Sequence, residues 1–446
     1  MKRVIILNSP LYEEINPNNN EDYLPPLGLG IIFSAIERKF NARFIDSIAE
    51  NLSIDTIIDI LENEKPNFVC INIFTTNYSL VKQIVERTLV NLHWIIGGIS
   101  TKSLHAEIFN WLTESQIDIV YGDGERIVES IITSAISEEP KAFKDKRRFF
   151  IVDQHSAYYV KTISNEQLNR SIFKSEPQLN IYDEYEVCIY TSRGCPYHCA
   201  YCVASHLRNS ELGIIRRKDV NSIVSELQTI NTYYQDVVSI RILDDLFLSN
   251  RKSFENTVSI FNKFSFSWRA MCHVKSINCM DNKGLYSLSE SGCKELFVGI
   301  ESGSPDILTK IHKTSDVDMI ERSVKRILDA GIRVKGYFIC GLPGETEEDL
   351  KKTLGLATKL KHHSNGKGIF RNSTFQFRPY YGTDLYDEIV SCLEIESNSI
   401  LLKTKDSVEL NTKVRNKSFN FESGNYSSVS RDTLISYIMR MNQLNE

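Results

Sequence analysis

The sequence predicts an α/β protein: an N-terminal doubly wound parallel sheet, then a partial (β/α)6 TIM-type barrel, then a small, mostly helical C-terminal segment. Two observations support this prediction. Short apolar runs alternate with amphipathic stretches over residues 3–137, which is typical of β–α repeats around a parallel sheet. This alternation stops and resumes from Val187 with a different spacing. The predicted organisation is a Rossmann-like domain over 1–137, a linker with at most a short hairpin over 138–186, a barrel over 187–382 and an extension over 383–446.

Five β–α repeats are predicted in the first domain. Its strands are Val4–Leu7, Arg43–Ile45, Phe68–Ile73, Trp94–Ile96 and Asp118–Tyr121. Ligands of such sheets bind at the carboxyl ends of the strands, and these ends carry glycine or small polar residues here. Loops that join strands to helices are rich in turn residues in any case, so this pattern alone leaves a ligand site and ordinary turns equally open.

Six further strands are predicted from Val187 onward. They are Val187–Thr191, Val238–Leu243, Phe266–Met271, Glu295–Ile300, Val334–Ile339 and Thr374–Phe377. Helical patterns separate them, and the order of strands has no evident switch point. A closed barrel of this type needs eight βα units, so six units predict an open barrel with its chemistry at the carboxyl ends of the strands.

Composition excludes several classes of protein. The net charge of −5 and the pI of about 6.1 give no reason to expect nucleic acid or an anionic membrane as a partner. No apolar run approaches 18 residues, which predicts no membrane span, and the N-terminal apolar run is too short for a signal peptide. We therefore expect a cytoplasmic protein whose ten cysteines are not disulfide-bonded.

Three of the cysteines are clustered as C-x3-C-x2-C, namely Cys195, Cys199 and Cys202. Thiolates are soft ligands that suit iron–sulfur clusters and zinc. A structural zinc ion needs four ligands, and the fourth would have to be His198 or His206. Three thiolates can instead hold one face of a [4Fe–4S] cluster and leave its fourth iron open. The motif also follows the first barrel strand, where such barrels do chemistry. The sequence therefore predicts that these cysteines are metal ligands of a catalytic cluster.

This motif resembles that of the radical S-adenosylmethionine (SAM) superfamily, and the resemblance continues through the barrel. It implies that the open iron binds the amino and carboxylate groups of SAM. It also implies an external electron donor, such as flavodoxin or ferredoxin, whose electron cleaves SAM to a 5′-deoxyadenosyl radical. Tyr201 matches the aromatic residue that the family places near the adenine.

Further motifs match the family in order and imply SAM-binding residues. Asp244 and Asp245 end the second barrel strand and resemble the acidic motif that binds the methionine amino group, although a carboxylate there can also cap the next helix. Other motifs supply candidates for the ribose and the adenine, which are Glu301, Ser302, Gly303 and Gly341. Many relatives carry an arginine after the third strand, whereas this chain offers Lys275, which keeps the charge but not the bidentate fork.

The first domain resembles the cobalamin-binding branch of the same superfamily. Matching loop residues imply a cobalamin site formed by Leu27, Gly28, Thr75, Thr76, Gly97, Gly98, Gly122 and Glu125. The D-x-H-x-x-G pattern that supplies a cobalt-ligating histidine is missing, since neither His93 nor His105 has an aspartate two positions earlier. The resemblance therefore implies cobalamin without a protein histidine ligand. A degenerate, empty domain would show the same absence.

These resemblances imply a cobalamin-dependent methyltransferase that acts on an unactivated carbon. A protein of the same architecture that catalyses a cyclisation, rearrangement or oxidation is a second hypothesis, and a cobalamin or redox sensor is a third. A methylthiotransferase is disfavoured because Cys70 is the only cysteine before Cys188. The substrate stays open among small metabolites, peptides and lipids. Three aromatic residues of the extension are candidates for a pocket or for packing, namely Phe419, Phe421 and Tyr426.

Overall fold

The computed structural model describes residues 1–10, 24–163, 168–393 and 425–445. These residues form two compact units. Within the described ranges, the first unit comprises residues 1–176, the segment His206–Arg216 and residues 380–393. The second unit comprises Pro177–Ser205, Arg217–Pro379 and residues 425–445. Phe419 and Phe421 lie outside the described residues.

The first unit is built on a seven-stranded sheet with the order β2-β1-β3-β4-β5-β7-β6. The strands are β1 (Arg3–Asn8), β2 (Asn41–Asp46), β3 (Phe68–Asn72), β4 (His93–Gly97), β5 (Gln116–Gly122), β6 (Ala142–Lys144) and β7 (Arg147–Val152). The helices are α1 (Leu27–Ile36), α2 (Ile54–Glu64), α3 (Tyr78–Arg87), α4 (Thr101–Ile108) and α5 (Ile127–Thr133). Strands β1 to β5 and β7 run parallel, which confirms the predicted doubly wound sheet.

Apolar residues on both faces of this sheet explain why its strands are continuously hydrophobic. Ile5 and Leu7 of β1 pack with Trp94 in one core cluster, whereas Val4 and Ile6 pack in a second cluster on the opposite face. Successive side chains of a strand point to opposite faces, so a strand covered on both sides must be apolar throughout.

The stretch predicted as a linker, 138–186, contains the short hairpin that the sequence allowed. Its strands β6 and β7 pair with each other antiparallel, and β7 also pairs parallel with β5. The hairpin is thus part of the first sheet, and the division between the units falls after Glu176. The sequence does not indicate these strands clearly, because β6 is an exposed edge strand. Charged residues such as Lys144 and Lys146 interrupt the apolar pattern there.

The second unit holds six parallel strands and one antiparallel edge strand, in the order β16-β15-β14-β13-β12-β9-β8. They are β8 (Gln178–Leu179), β9 (Tyr185–Ile189), β12 (Ser239–Ile242), β13 (Ser267–Cys272), β14 (Cys293–Glu301), β15 (Arg333–Cys340) and β16 (Phe370–Gln376). Two short strands, β10 (Ser192–Arg193) and β11 (Arg216–Arg217), pair with each other. The helices are α6 (Val220–Tyr233), α7 (Arg251–Phe261), α8 (Val274–Asn278), α9 (Asn282–Glu290), α10 (Pro305–Lys310), α11 (Val317–Asp329) and α12 (Glu347–His362). The predicted six-stranded partial barrel is confirmed.

The described part of the C-terminal region is helical, as predicted. Helix α13 (Asp384–Leu393) belongs to the first unit, and helix α14 (Arg431–Gln443) packs against β16 and α12 in the second. Tyr426 lies edge-to-face against Phe377 at a centroid distance of 5.6 Å, and the packing hypothesis for this residue thus has a contact in its favour. Among the described residues, no helix is both long enough and apolar enough to cross a membrane.

Candidate functional site

The three clustered cysteines lie in the loop that follows β9 and β10, at the carboxyl end of the first barrel strand. All three are free and partly exposed. Burial raises the pKa of Cys195 to about 11 and that of Cys202 to about 12, and the charge on Cys199 contributes to both shifts. The thiols therefore lie close enough to influence one another, and a metal cluster would have to displace their protons. The described residues include no group of three His, Cys, Asp or Glu side chains already arranged around one metal ion.

Asp244 anchors the start of this loop. Its carboxylate accepts hydrogen bonds from the Thr191 backbone N–H, the Thr191 hydroxyl and the Ser192 hydroxyl, all at 2.6 Å. The residue is only 3% exposed, and burial raises the pKa of Asp244 although these hydrogen bonds lower it. Asp245 is exposed to solvent, yet its surroundings also raise its pKa, mainly by burial, and its carboxylate accepts a hydrogen bond from the Gly194 backbone N–H. The two adjacent aspartates therefore differ in exposure, although both contact the residues that precede Cys195.

A group of three polar side chains, buried or partly buried, lies beside the cysteines. The Tyr201 hydroxyl donates to Glu301 Oε1 at 2.7 Å, and Lys313 Nζ lies 3.3 Å from the same oxygen. Lys313 also donates to the Gly299 carbonyl at 3.2 Å. Burial lowers the pKa of Lys313, but Glu301 and the Cys199 thiolate outweigh it, so the net shift is upward. The site thus holds a charged lysine next to the cysteine thiols.

Glu301 reaches this position through a distortion of its strand. The register between β14 and β15 shifts between Gly299 and Glu301, and Glu301 has a φ of 69°. A residue other than glycine with a left-handed backbone costs energy and is typical of functional sites. The bulge turns the carboxylate towards Tyr201 and Lys313.

Ser302 and Gly303, predicted to bind SAM with Glu301, contact helix α12. The Ser302 hydroxyl lies 3.0 Å from Thr353 Oγ1, and the Gly303 N–H donates to that same oxygen at 3.0 Å. A Cβ at Gly303 would lie 2.4 Å from the Lys352 carbonyl oxygen, so only glycine fits. These contacts hold the end of β14, which carries Glu301, against helix α12.

Gly341 directly follows β15 and has a φ of 88°, which favours glycine. Its N–H donates to Glu345 Oε2 at 2.6 Å. Glu345 is fully buried and its Oε1 has no hydrogen-bond partner. Burial raises the pKa of Glu345 to about 8, so this group is mostly protonated at neutral pH.

The structure differs from the sequence prediction for the cation that follows the third barrel strand. Lys275 is exposed on α8, whereas His273 lies between β13 and α8 as the N-cap residue of that helix and stacks on Tyr197 at a centroid distance of 4.1 Å. Burial lowers the pKa of His273 to about 2, with Lys313 adding to the effect. Lys313 is therefore the buried cation near the cysteines. Sequence reasoning missed it, although it follows Glu301 by twelve residues.

The candidate residues of the first unit lie at the carboxyl edge of its sheet, but they are not equally accessible. Gly28 is exposed, and a Cβ there would meet nothing within 4 Å, while one at Gly97 would meet only the Val120 carbonyl oxygen at 3.9 Å. Gly122 is also exposed, but it has a φ of 103° and a Cβ there would lie 2.4 Å from the Val152 carbonyl oxygen; Glu125 is half-exposed. Of these positions, Gly28 and Gly97 have the most open backbone.

The remaining candidates of this edge already have partners within the first unit. Thr75 and Thr76 are buried, the Thr75 hydroxyl accepts from the Tyr381 N–H at 3.2 Å, and Leu27 is 6% exposed. Gly98 has a φ of 126°, and a Cβ there would lie 2.7 Å from the Ile73 carbonyl oxygen. Most of these residues are therefore enclosed by the protein at this edge and expose little surface to solvent.

Two features of this edge escaped sequence reasoning. A buried polar network joins β1, β2 and β3: Asn8 donates to Asp46 at 2.8 Å, and Asn72 donates to Asn8 at 2.9 Å. Phe74 follows β3 and is 37% exposed, although its neighbours Ile73 and Thr75 are buried. The exposure of this phenylalanine at the carboxyl edge is visible from the burial of its side chain but not from the sequence.

The two histidines of the first domain lie away from these strand ends. His93 stands at the amino end of β4, with Nε2 2.7 Å from Asp118 Oδ2, and His105 stacks on Phe149 at 4.2 Å. Neither is available at the carboxyl edge.

Comparison with known proteins finds similarity in both sequence and fold. Residues 189–357 match the family model described as the radical SAM superfamily. The chain is 28% identical over 360 residues to the uncharacterised methyltransferase PH0819 of Pyrococcus horikoshii, covering 75% of this chain and 73% of that protein.

Two solved structures share the fold of nearly the whole chain. The methyltransferase TsrM of Kitasatospora setae, with cobalamin and a [4Fe–4S] cluster bound, matches with a TM-score of 0.66 and 16% identity, covering 100% of this chain and 89% of that one. The cobalamin-dependent SAM radical enzyme OxsB, with aqua-cobalamin and SAM bound, matches with a TM-score of 0.66 and 15% identity. That match covers 98% of this chain and 66% of OxsB.

Proposed function

We propose that this chain, which belongs to the radical SAM superfamily through residues 189–357, is a cobalamin-dependent radical SAM methyltransferase acting on an unactivated carbon. The observation that supports it most is the arrangement of three free cysteines beside the buried Glu301–Lys313 pair. The similarity to PH0819 and to TsrM supports methyl transfer rather than another radical reaction.

The donor set of the cysteine loop fits a [4Fe–4S] cluster. Cys195, Cys199 and Cys202 supply three soft thiolates, and Asp244 holds the start of their loop in place. Lys313 compensates part of the negative charge that three thiolates bring into a buried setting.

Residues around the cysteines fit SAM. Glu301 can accept hydrogen bonds from ribose hydroxyls, since a carboxylate has lone pairs beyond those used by Tyr201 and Lys313. We assign the binding of the SAM carboxylate to the Lys313 ammonium, the role that the family resemblance implied for Lys275. Asp245 is the exposed carboxylate for the amino group.

The carboxyl edge of the first unit fits a corrin in part. Gly28 and Gly97 leave space beside their backbone, and Phe74 offers an apolar surface. Thr75 is buried, and its hydroxyl accepts from the Tyr381 N–H but keeps a proton to donate, so it stays a candidate. His93 and His105 lie away from this edge.

When bound, the cluster would supply the electron that cleaves SAM to a 5′-deoxyadenosyl radical, and the cobalamin would supply the methyl group. The chain itself binds and orients these groups. It needs an external one-electron donor, for which flavodoxin or ferredoxin is the expected class. A non-methylating reaction on the same architecture is the second candidate, favoured by the similarity to OxsB, which is described as a radical enzyme and not as a methyltransferase.

The test is anaerobic reconstitution of the full chain with iron and sulfide, followed by hydroxocobalamin and removal of the excess. The visible spectrum, 5′-deoxyadenosine and S-adenosylhomocysteine are then measured under reductant. A retained corrin band with both products supports a methyltransferase. Formation of 5′-deoxyadenosine without retained corrin would contradict methyl transfer by cobalamin and leave the radical SAM assignment in place.

The control for the cluster is a pair of cysteine variants. Cys199→Ala should abolish iron retention and 5′-deoxyadenosine formation, whereas Cys392→Ala should change neither, because Cys392 is an exposed free cysteine in the first unit. Unchanged 5′-deoxyadenosine formation by Cys199→Ala would contradict the proposal.

A further inference from the structure

An ion pair at the carboxyl end of β5 joins two segments of the first unit that are distant in sequence. Asp123 directly follows β5, and Arg216 ends the segment His206–Arg216. Arg216 Nη2 donates to Asp123 Oδ1 at 3.0 Å, and Arg216 Nη1 donates to Asp123 Oδ2. The guanidinium therefore binds both carboxylate oxygens, which is the strong and orienting form of this interaction.

This ion pair is enclosed by the protein. The side chains of Arg216 and Asp123 are 12% and 3% exposed. The Val160 N–H donates to Asp123 Oδ2 at 2.9 Å, and Arg216 Nη1 donates to the Val160 carbonyl at 2.7 Å. The guanidinium also lies over the Tyr159 ring, 4.5 Å from its centroid. The pair thus fixes the position of Asp123 through contacts that solvent does not easily replace.

The loop 122–125, which contains this aspartate, is also packed closely at its two glycines. A Cβ at Gly122 would lie 2.4 Å from the Val152 carbonyl oxygen of β7, and one at Gly124 would lie 2.8 Å from Ile32 Cδ1 of α1. The loop is therefore held at three successive residues, and the middle one is held by a charge.

The same loop carries residues proposed for cobalamin. Gly122 is exposed although a side chain would not fit there, and Glu125 is half-exposed. Gly28, whose backbone is open, precedes Ile32 by one turn of α1 and so lies on the same face of that helix. The surface that these residues offer to a ligand depends on where the loop lies.

We propose that Arg216 is a positioning residue for cobalamin: its ion pair with Asp123 keeps the loop 122–125 in the conformation that binds the corrin. This role rests on the proposed function, since it concerns the cobalamin site of that function. Arg216 acts through Asp123 and is not itself assigned a contact with the cofactor. A loop that is already ordered loses less conformational entropy when a ligand binds, which raises the affinity without a new contact.

The test compares two arginines that each bind both oxygens of an aspartate. Arg148 donates to Asp118 at 2.7 Å from both Nε and Nη2, and Asp118 is fully buried near the amino end of β5. Asp123 follows the carboxyl end of the same strand. Arg148→Met and Arg216→Met therefore remove similar ion pairs from opposite ends of β5, and only the second pair lies at the proposed corrin edge.

Hydroxocobalamin is titrated against the purified full chain, and bound and free corrin are measured by equilibrium dialysis. We expect Arg216→Met to weaken binding about tenfold, which corresponds to the cost of ordering roughly one loop residue. Arg148→Met should bind hydroxocobalamin as the unaltered chain does. Both variants should lower the thermal unfolding midpoint, because each removes one partner of a buried aspartate. A loss of affinity in only one of them separates positioning from general destabilisation.

Two milder variants apply if Arg216→Met does not fold by circular dichroism. Asp123→Asn removes the charge of the other partner with little change of volume and should also weaken corrin binding about tenfold. Arg216→Lys keeps the charge but not the fork, so its affinity should lie between those of the unaltered chain and Asp123→Asn. Corrin affinity in Asp123→Asn that equals that of the unaltered chain overturns the inference.

The remaining outcomes distinguish this inference from the proposed function. Unchanged affinity in Arg216→Met overturns the positioning role, as does an equal loss of affinity in Arg148→Met. In both cases the unaltered chain still binds corrin, so the proposed function stands. An unaltered chain that binds no corrin contradicts methyl transfer by cobalamin, and the role of Arg216 fails with it.

Discussion

Lys313 illustrates at the level of one residue how a buried charge becomes tolerable. An ammonium group away from water is costly unless a counter-charge lies near it. Glu301 supplies that charge at 3.3 Å, and the Gly299 carbonyl accepts a further hydrogen bond. Glu301 depends equally on Lys313 and Tyr201, so removal of one partner leaves the other charge buried and unpaired.

We expect Lys313→Met to weaken SAM binding at least tenfold and to lower the thermal unfolding midpoint by about 5 °C or more, because breaking a buried ion pair is strongly destabilising. Equilibrium dialysis with SAM and differential scanning fluorimetry measure the two effects. Lys313→Arg should recover part of both, since it keeps the charge. SAM binding by Lys313→Met that equals that of the unaltered chain would contradict the role given to this lysine.

The raised pKa of Glu345 predicts that the stability of the chain depends on pH. Burial raises its pKa from the ordinary 4.5 to about 8, so the folded chain binds more protons than the unfolded chain between these values. Stability attributable to Glu345 therefore falls as the pH rises from about 5 to 8, by up to roughly 1.4 kcal/mol per pH unit. We expect the thermal midpoint of Glu345→Gln, whose side chain cannot ionise, to fall less over this pH range than that of the unaltered chain. Glu347→Gln, at an exposed neighbour, should follow the unaltered chain. Parallel curves for all three proteins would refute the prediction.

At the scale of one element, the loop of the cysteines depends on two adjacent aspartates that sequence cannot tell apart. Asp244 follows β12 and accepts three hydrogen bonds from Thr191 and Ser192, whereas Asp245 is exposed. Both residues lie beyond the last residue of β12, and their side chains differ in exposure. In the proposed function, Asp244 holds the loop and Asp245 binds the amino group of SAM.

These roles predict a separation of effects. Asp244→Ala should lower iron and sulfide retention after reconstitution, because the loop loses three hydrogen bonds to a buried carboxylate. Asp245→Ala should retain the cluster but weaken SAM binding by about tenfold. Iron analysis and equilibrium dialysis measure the two properties on the same samples. Equal loss of cluster in both variants would show that the aspartates act together.

At the scale of the whole molecule, the sequence predicted the fold because both sheets follow strong periodic rules. The buried strands of the first sheet are continuously apolar, and the motifs of the barrel end consecutive strands. The segments 206–216 and 380–393 were not assigned to the first unit, because their contacts are made with residues distant in sequence. Arg208, for example, bonds Asp384 at 2.5 Å across 176 positions.

The candidate site was predictable where the spacing of residues within a motif by itself indicates how they are arranged. The spacing of Cys195, Cys199 and Cys202 indicates a common loop without any structure. The choice between Lys275 and Lys313, in contrast, depends on which side chain is buried, and only the fold decides that. The engagement of Thr75 by Tyr381 likewise joins residues about 300 positions apart.

The proposed cofactors are assigned to different units, which makes a prediction about their independence. Phe74→Ala in the first unit removes an exposed apolar ring from the sheet edge and should reduce retention of hydroxocobalamin about tenfold, while iron content and 5′-deoxyadenosine formation stay unchanged. Leu112→Ala, which alters an exposed residue beyond the end of α4, should change neither property. Cys199→Ala should produce the reverse pattern and keep the corrin. The corrin absorbance after gel filtration, with iron analysis of the same fractions, measures both cofactors. If Phe74→Ala holds cobalamin as well as the unaltered chain does, the corrin does not contact this ring, and the glycines at positions 28 and 97 would have to be tested as the binding edge by substitution with valine.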